Sequence, residues 1–368
     1  LTRPFDPNSG GVQRSTFKIS SYLKKSGYET HVFSFANVGH EEQQVALLHT
    51  AKYEGGQKSN LNHKQLVSVL EKIKPDVVIN QMPYELEIGD TLNKLQKTQE
   101  FLLLGCLRNT LFSVKLNLST YIKNTTPKFL HAFLNNSVAE KIMLQLHKYK
   151  HANELKIILN TYNYFIMFGP PNLEELKYFV GNFKLNKTHL IPNSILHVES
   201  KLPKKEKRIL WLSRLNYKQK RADLILPFWK LIMHHLPDWE FDIVGDGEAF
   251  EDLKLQIKKE QIPRVQMYGK QVPDLYYKRS PIYIMTSAFE GFPNTLIEAQ
   301  SFGCVPVVYD SYPICSWAVK DGKCGVLINP FDINEMATKV IELALNQNLQ
   351  DQHMKSSLEN AKEFEINN

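Results

Sequence analysis

Apolar residues fall along this chain in two patterns, short continuous runs and longer segments that repeat every three to four positions. Their alternation predicts parallel α/β units. A helix is expected over 12–26, closed by Gly27, and a strand over 31–35. Leu66, Val67, Leu70 and Ile73 share one helix face, which Pro75 terminates. A short strand at 77–79, a helix near 88–95 and a strand at 101–107 follow. The pattern is weakest over 108–160, where a helix is expected at 129–146. A strand at 164–168 and a helix at 172–179 lead to the polar, Pro192-containing segment 189–195. That segment and the charged run 201–208 mark a domain boundary. Beyond it, strands are expected at 209–212, 241–244, 265–268, 282–285 and 305–309. Helices are expected at 222–235, 250–259, 295–302 and 333–345. This reads as a doubly wound sheet, which binds ligands outside the C-terminal ends of its strands.

The length, 368 residues, suits two domains. They are assigned as 1–193 and 194–345, with a helical segment over 346–368. The chain opens at Leu1 and a loop is expected over 2–11, so the strand that should precede it is expected to be missing. The C-terminus at Asn368 is expected to fall within a helix, the last one being incomplete.

Composition adds limits. The net charge of +7 favours anionic partners without choosing among them. No recognition module for nucleic acid is visible, so nucleic acid is not expected as a partner. Cys106, Cys304, Cys315 and Cys324 form neither a C-x-x-C pair nor a zinc spacing, which fits a reduced, cytoplasmic protein. No apolar run reaches membrane-spanning length. Between Lys115 and Lys156 seven lysines face two acids, with Tyr121, Phe129, Phe133 and Tyr149 among them. Such a surface suits peripheral contact with the inner face of a membrane, and a solvated lysine face on a helical insert accounts for it equally. His131, His147 and His151 are irregularly spaced and read as surface residues rather than metal ligands.

The candidate chemistry centres on 287–298, S-A-F-E-G-F-P-N-T-L-I-E, which follows a buried strand and opens a helix. Gly291 and Pro293 make a tight turn, and Asn294 or Thr295 can cap the helix. Its N-terminus then offers free N–H groups to a phosphate. Glu290 precedes the helix, and Glu298, one turn inside, can accept hydrogen bonds from a diol. Two acids around an anion-binding helix start suit a sugar nucleotide.

The segment resembles the E-x7-E motif of family 4 retaining glycosyltransferases, and the E-A-Q-S-F-G-C-V-P-V that continues it resembles the same family. The run 209–221, I-L-W-L-S-R-L-N-Y-K-Q-K-R, is similar to the family's strand followed by an Arg and a Lys. The resemblance implies that Arg214 and Lys220 hold the donor diphosphate. Spacing alone leaves Lys218 as an alternative to Lys220. The resemblance also implies that Gly291, Phe292, Pro293, Asn294, Thr295, Leu296 and Glu298 line the donor, with Gly245, in I-V-G-D-G, and Tyr268 beside the base. Gly10 and Gly11, before the first helix, are similar to the family's glycine loop and would face acceptor or phosphate. Leu107-Arg108-Asn109 stands where the family often has a His near the reacting sugar, and Arg108 cannot serve as a neutral base but can bind oxygens.

The resemblance implies two facing Rossmann-like domains, the GT-B fold, with acceptor on the N-terminal domain and donor on the C-terminal one. The activity implied is retaining transfer of a hexosyl or N-acetylhexosaminyl group from a nucleotide sugar, a UDP-sugar foremost, to a glycan or lipid-linked acceptor in bacterial surface polysaccharide or lipopolysaccharide assembly. No D-x-D triplet is present, so no metal and no cofactor beyond the nucleotide-sugar co-substrate is expected. An epimerase or phosphorylase on the same fold, or a nucleotide-binding protein with a degenerate site, are the alternatives.

Overall fold

The computed structural model describes residues 1–2, 5, 10–36, 44–112, 127 and 136–366. Their packing divides the chain into two units. One comprises the described parts of 1–109 and 137–193; the other comprises those of 110–136 and 194–368.

The first unit begins with helix α1 (Gly11–Lys25), strand β1 (His31–Ser34), β2 (Leu47–Thr50), α2 (Asn60–Ile73), β3 (Val77–Asn80), α3 (Leu86–Leu95) and β4 (Leu102–Cys106). It continues through α4 (Ser137–Thr161), β5 (Tyr164–Met167), α5 (Pro170–Val180) and β6 (Thr188–Leu190). The strands pair in parallel as β1-β2 and β3-β4-β5-β6. Residues 1 and 2 link the two sheets. Thr2 bridges Ser34, while the amino group of Leu1 donates to Ile79 O at 2.6 Å.

The second unit contains β7 (Arg208–Leu212), α6 (Ile225–Ile232), β8 (Glu240–Val244), α7 (Phe250–Lys259), β9 (Val265–Met267), α8 (Asp274–Arg279), β10 (Ile282–Met285), α9 (Asn294–Ser301), β11 (Val305–Tyr309), α10 (Pro313–Ala318), β12 (Val326–Ile328), α11 (Ile333–Leu345) and α12 (Gln347–Lys362). Its six parallel strands lie in the order β12-β11-β10-β7-β8-β9. This is the doubly wound Rossmann order, and the winding reverses between β7 and β10. All residues of β10 and β11 are buried, because helices cover both faces of a parallel sheet. Trp211, Trp229, Phe228 and Phe241 anchor the core, with Trp229 stacked on Phe241 at 5.4 Å between centroids.

Some sequence expectations change. The helix placed at 129–146 is α4, which starts at Ser137 and runs on to Thr161; residues 129–135 lie outside the described residues. The helix placed at 222–235 opens with a 3-10 turn, Ala222–Leu224. Its α-helical part begins at Ile225, with Pro227 in the first turn, where a missing N–H costs nothing. Segment 189–195, read as part of a domain boundary, includes the end of β6. The last helix ends at Lys362, and Glu365 then bridges Ile195. No described helix is long and apolar enough to cross a membrane.

Candidate active site

At the switch point of the second unit, the chain leaves β7 and β10 in divergent directions, and two loops face each other there. The loop after β7 is organised by Asn216. Its Oδ1 accepts from the backbone N–H of Gln219 (3.0 Å) and of Lys220 (2.9 Å), and its carbonyl accepts from Ala222. The loop after β10 is tied to it. Ala288 N donates to Gln219 O at 2.7 Å. Thr286 Oγ1 accepts from Trp211 Nε1 and donates to Lys220 O at 2.6 Å.

This scaffold brings Lys220 against Glu290 as an ion pair. The two residues are 9% and 7% exposed, so neither charge is bathed in water. Gln219 Nε2 holds the other carboxylate oxygen at 3.1 Å and donates to Phe289 O. Asn216, Gln219 and Thr286 escaped the sequence reading. Asn216 lies between Arg214 and Lys220, but only the fold shows that its amide oxygen turns the loop. The pair also separates Lys220 from Lys218, which is exposed and makes no hydrogen bond or ion pair with the described residues.

Arg214 is exposed, and its guanidinium makes no hydrogen bond or ion pair with the described residues. Its position is fixed through its backbone neighbours. Gly245 (φ 137°) and Gly247 (φ 150°) pack on the turn that carries it, with Ser213 N donating to Val244 O and Leu215 N to Asp246 O. A Cβ on Gly245 would stand 1.8 Å from Ser213 O, and one on Gly247 2.4 Å from Leu215 O. Both positions therefore require glycine for close backbone approach.

Helix α9 carries the rest of the motif. Pro293, not Asn294 or Thr295, occupies the N-cap position, and no side chain caps the helix. The Thr295 hydroxyl is engaged by Tyr283, whose OH donates to it at 2.8 Å. Burial raises the Tyr283 pKa, so this phenol stays a donor. Glu298 is half-buried and accepts a long bond from Tyr277 OH at 3.5 Å. Gly291 is half-buried in the turn. The side chains of Phe292, against Phe364, and of Leu296 are buried, so a ligand here would meet their backbone. Tyr268 packs on Tyr276, with the Arg279 guanidinium 5.3 Å from its ring centroid. This joins it to the Arg279–Asp242 ion pair rather than to the Lys220–Glu290 cluster.

In the first unit, Gly10 holds the N-cap position of α1 and Gly11 is its first residue, and Arg108 follows β4 with its guanidinium bound to Gln81 and Asn193. The His147 and His151 rings lie 4.2 Å apart between centroids and tilted by 49°, and His151 meets Glu154. No cluster of His, Cys, Asp or Glu among the described residues could hold a metal ion. All four cysteines are free and buried.

Residues 192–363 match the family described as glycosyl transferases group 1. An uncharacterized glycosyltransferase of Haemophilus influenzae is 26% identical over 348 residues, 92% of this chain and 88% of that protein. The amylovoran biosynthesis glycosyltransferase AmsD of Erwinia amylovora is 28% identical over 202 residues, 52% of this chain and 56% of that one. Among solved structures, Anabaena HepE in complex with UDP and glucose aligns with a TM-score of 0.71 at 14% identity, over 99% of this chain and 95% of that one. The likeness to HepE is one of fold, the two Rossmann-like domains of GT-B glycosyltransferases, and the match to the glycosyl transferases group 1 family spans residues 192–363.

Proposed function

We propose that this protein is a retaining glycosyltransferase that moves a hexosyl or N-acetylhexosaminyl group from a UDP-sugar to a glycan or lipid-linked acceptor in surface-polysaccharide assembly. The observation that carries the reading is the buried Lys220–Glu290 pair at the switch point, with Arg214, which pairs with no described residue, on the same loop. The amylovoran role of the Erwinia relative and the UDP and glucose bound to HepE support the acceptor class and the donor.

In this reading the second unit binds the donor and the first the acceptor. Glu298 accepts hydrogen bonds from the ribose diol, the N–H groups at the start of α9 meet the diphosphate, and Glu290 orients the sugar hydroxyls. The bond between the anomeric carbon and the diphosphate oxygen breaks, and negative charge grows on the leaving group. Arg214 and Lys220 stabilise it. The acceptor hydroxyl attacks the same face of the sugar, and its proton passes to the departing phosphate oxygen. The products are the glycoside and UDP. No divalent ion is required, because the two side-chain cations and the helix terminus meet the charge. The exposed apolar residues Val138, Ile142, Leu146 and Tyr149 on α4, with the exposed Lys141 and Lys150 beside them, would rest on the inner membrane face in peripheral contact.

Calorimetric titration with UDP, GDP and ADP, with magnesium and with EDTA, tests the donor assignment. UDP is expected to bind equally well in both conditions and at least tenfold more weakly to Glu298→Ala. Absence of binding by any nucleotide, or binding that needs magnesium, would refute it. Turnover of UDP-glucose, UDP-galactose and UDP-N-acetylglucosamine with product anomer assigned by NMR tests retention.

A further inference from the structure

A second polar cluster lies wholly within the first unit, at the C-terminal ends of its strands. Arg108 follows β4, Gln81 follows β3 and Asn193 follows β6. Arg108 Nε donates to Gln81 Oε1 at 2.5 Å and its Nη1 to Asn193 Oδ1 at 2.9 Å. Ser15 Oγ, from the second turn of α1, donates to the same Asn193 oxygen at 2.9 Å. The Phe168 ring centroid lies 5.4 Å from the guanidinium carbon. The nearby Cys106 thiol has its pKa raised by burial and so stays neutral beside the arginine.

Every one of these neighbours is uncharged. Arg108 is half-buried, yet it forms no ion pair with any described residue. Arg208, Arg221 and Arg279 each pair with a carboxylate, while Arg264, also half-buried among neutral groups, has both its Nη atoms taken up by the carbonyls of Met233, Leu236 and Pro237. Amide oxygens fix the plane of a guanidinium without cancelling its charge. Withdrawing a cation part-way from water without a counter-ion is unfavourable, and an incoming anion would relieve that cost. Gln81 engages Nε and Asn193 engages Nη1, the Cys106 side chain is a further weak hydrogen-bond partner, and the remaining guanidinium N–H groups suit the oxygens of a phosphate or carboxylate.

We propose that Arg108, oriented by Gln81 and Asn193, is the seat for an oxyanion carried by the acceptor, a phosphate or carboxylate group on the acceptor glycan. The word acceptor rests on the glycosyltransferase reading above; the oxyanion seat itself does not.

The test is a ligand-observed NMR titration of the full chain with glucose 6-phosphate, glucuronate and glucose, each with and without saturating UDP. At least one anionic sugar is expected to bind tenfold or more tightly than glucose, and which one does so distinguishes phosphate from carboxylate. In Arg108→Met that preference is expected to fall below threefold. Gln81→Glu is the second variant. It keeps Arg108 in place and neutralises it with an internal carboxylate, and the same loss is expected. Equal binding of the three sugars to the unmodified protein overturns the proposal, and so does a preference that survives both substitutions. A UDP titration of the same samples separates the two ideas. Oxyanion preference without UDP binding would sink the glycosyltransferase reading and leave the seat standing, whereas UDP binding without oxyanion preference would do the reverse.

Discussion

Replacing Lys220 with methionine should destabilise the second unit by about 3 kcal/mol. The substitution leaves Glu290, 7% exposed, with Gln219 Nε2 as its remaining side-chain donor within the cluster. Removing one partner of a buried ion pair costs about 3–5 kcal/mol, and the surviving neutral hydrogen bond returns about 1 kcal/mol of it. The assay is urea unfolding followed by tryptophan fluorescence. Trp211, Trp229, Trp239 and Trp317 all lie in the second unit, so the signal reports that unit without the other. With a urea dependence of about 2 kcal/mol per molar, the midpoint should drop by about 1.5 M. The double variant Lys220→Met with Glu290→Gln removes both charges. It should recover to within about 1.5 kcal/mol of the starting protein, less than the loss for Lys220→Met alone. A loss below about 1 kcal/mol for Lys220→Met alone, or a double variant as unstable as the sum of the singles, would show that the pair is not desolvated and would refute the reasoning.

Three further outcomes are expected. Gly245→Ala should lower the same midpoint by about 1 M or more, because its Cβ would meet Ser213 O at 1.8 Å, while Gly181→Ala, with open space around it, should cost only about 1 kcal/mol of backbone strain as read by circular dichroism. Arg214→Ala should leave the urea midpoint within about 0.3 M, since the guanidinium makes no hydrogen bond or ion pair with the described residues, yet weaken UDP binding at least tenfold by calorimetry. Acidification should destabilise the second unit partly through His353, whose pKa burial lowers against a smaller opposing effect of Glu342. The unfolded chain takes up that proton first, so the contribution is present above about pH 6.5 and is lost as the pH falls through that value towards the folded pKa. His353→Gln should flatten the fluorescence-detected stability between pH 7 and pH 5.

The parts of the fold legible in the sequence were those with a strong period. The strands at 282–285 and 305–309 and the helices at 250–259 and 333–345 stand where the pattern put them. The strands β2, β6 and β12 did not show, being three or four residues long with mixed burial, too short for a period to register. α4 was hard to read for another reason. Over much of its length apolar residues such as Ile142, Leu146 and Ile157 face outward, so they fall out of phase with buried Leu155, Ile158 and Leu159. In the site, the charged residues stood out because charge is conspicuous between a buried strand and a helix. The uncharged residues that hold them did not. Nothing in the composition distinguishes Asn216, Gln219 or Thr286 from ordinary loop residues, and their work depends on contacts spanning up to 75 positions, such as that from Trp211 to Thr286. The expected side-chain cap on α9 failed because Pro293 holds the N-cap position and Tyr283 claims the Thr295 hydroxyl.

The two units meet the same physical problem in opposite ways. Each places a cation at the C-terminal edge of a parallel sheet, where diverging chain connections leave polar space rather than core. In the second unit Lys220 is neutralised by Glu290, so the buried position is tolerated without a ligand, and an arriving anion must compete with a carboxylate for it. Arg214 carries no such partner among the described residues and remains in water, where an unpaired charge costs little. In the first unit Arg108 is half-buried and, among the described residues, bound by neutral groups alone, so its charge is uncompensated until something else supplies the anion. A compensated cation gives stability to the empty fold and selectivity by competition. An uncompensated one gives up stability in the empty fold and returns it as affinity. The difference predicts which substitutions register in unfolding and which register in binding: Lys220 in both, Arg214 and Arg108 mainly in binding.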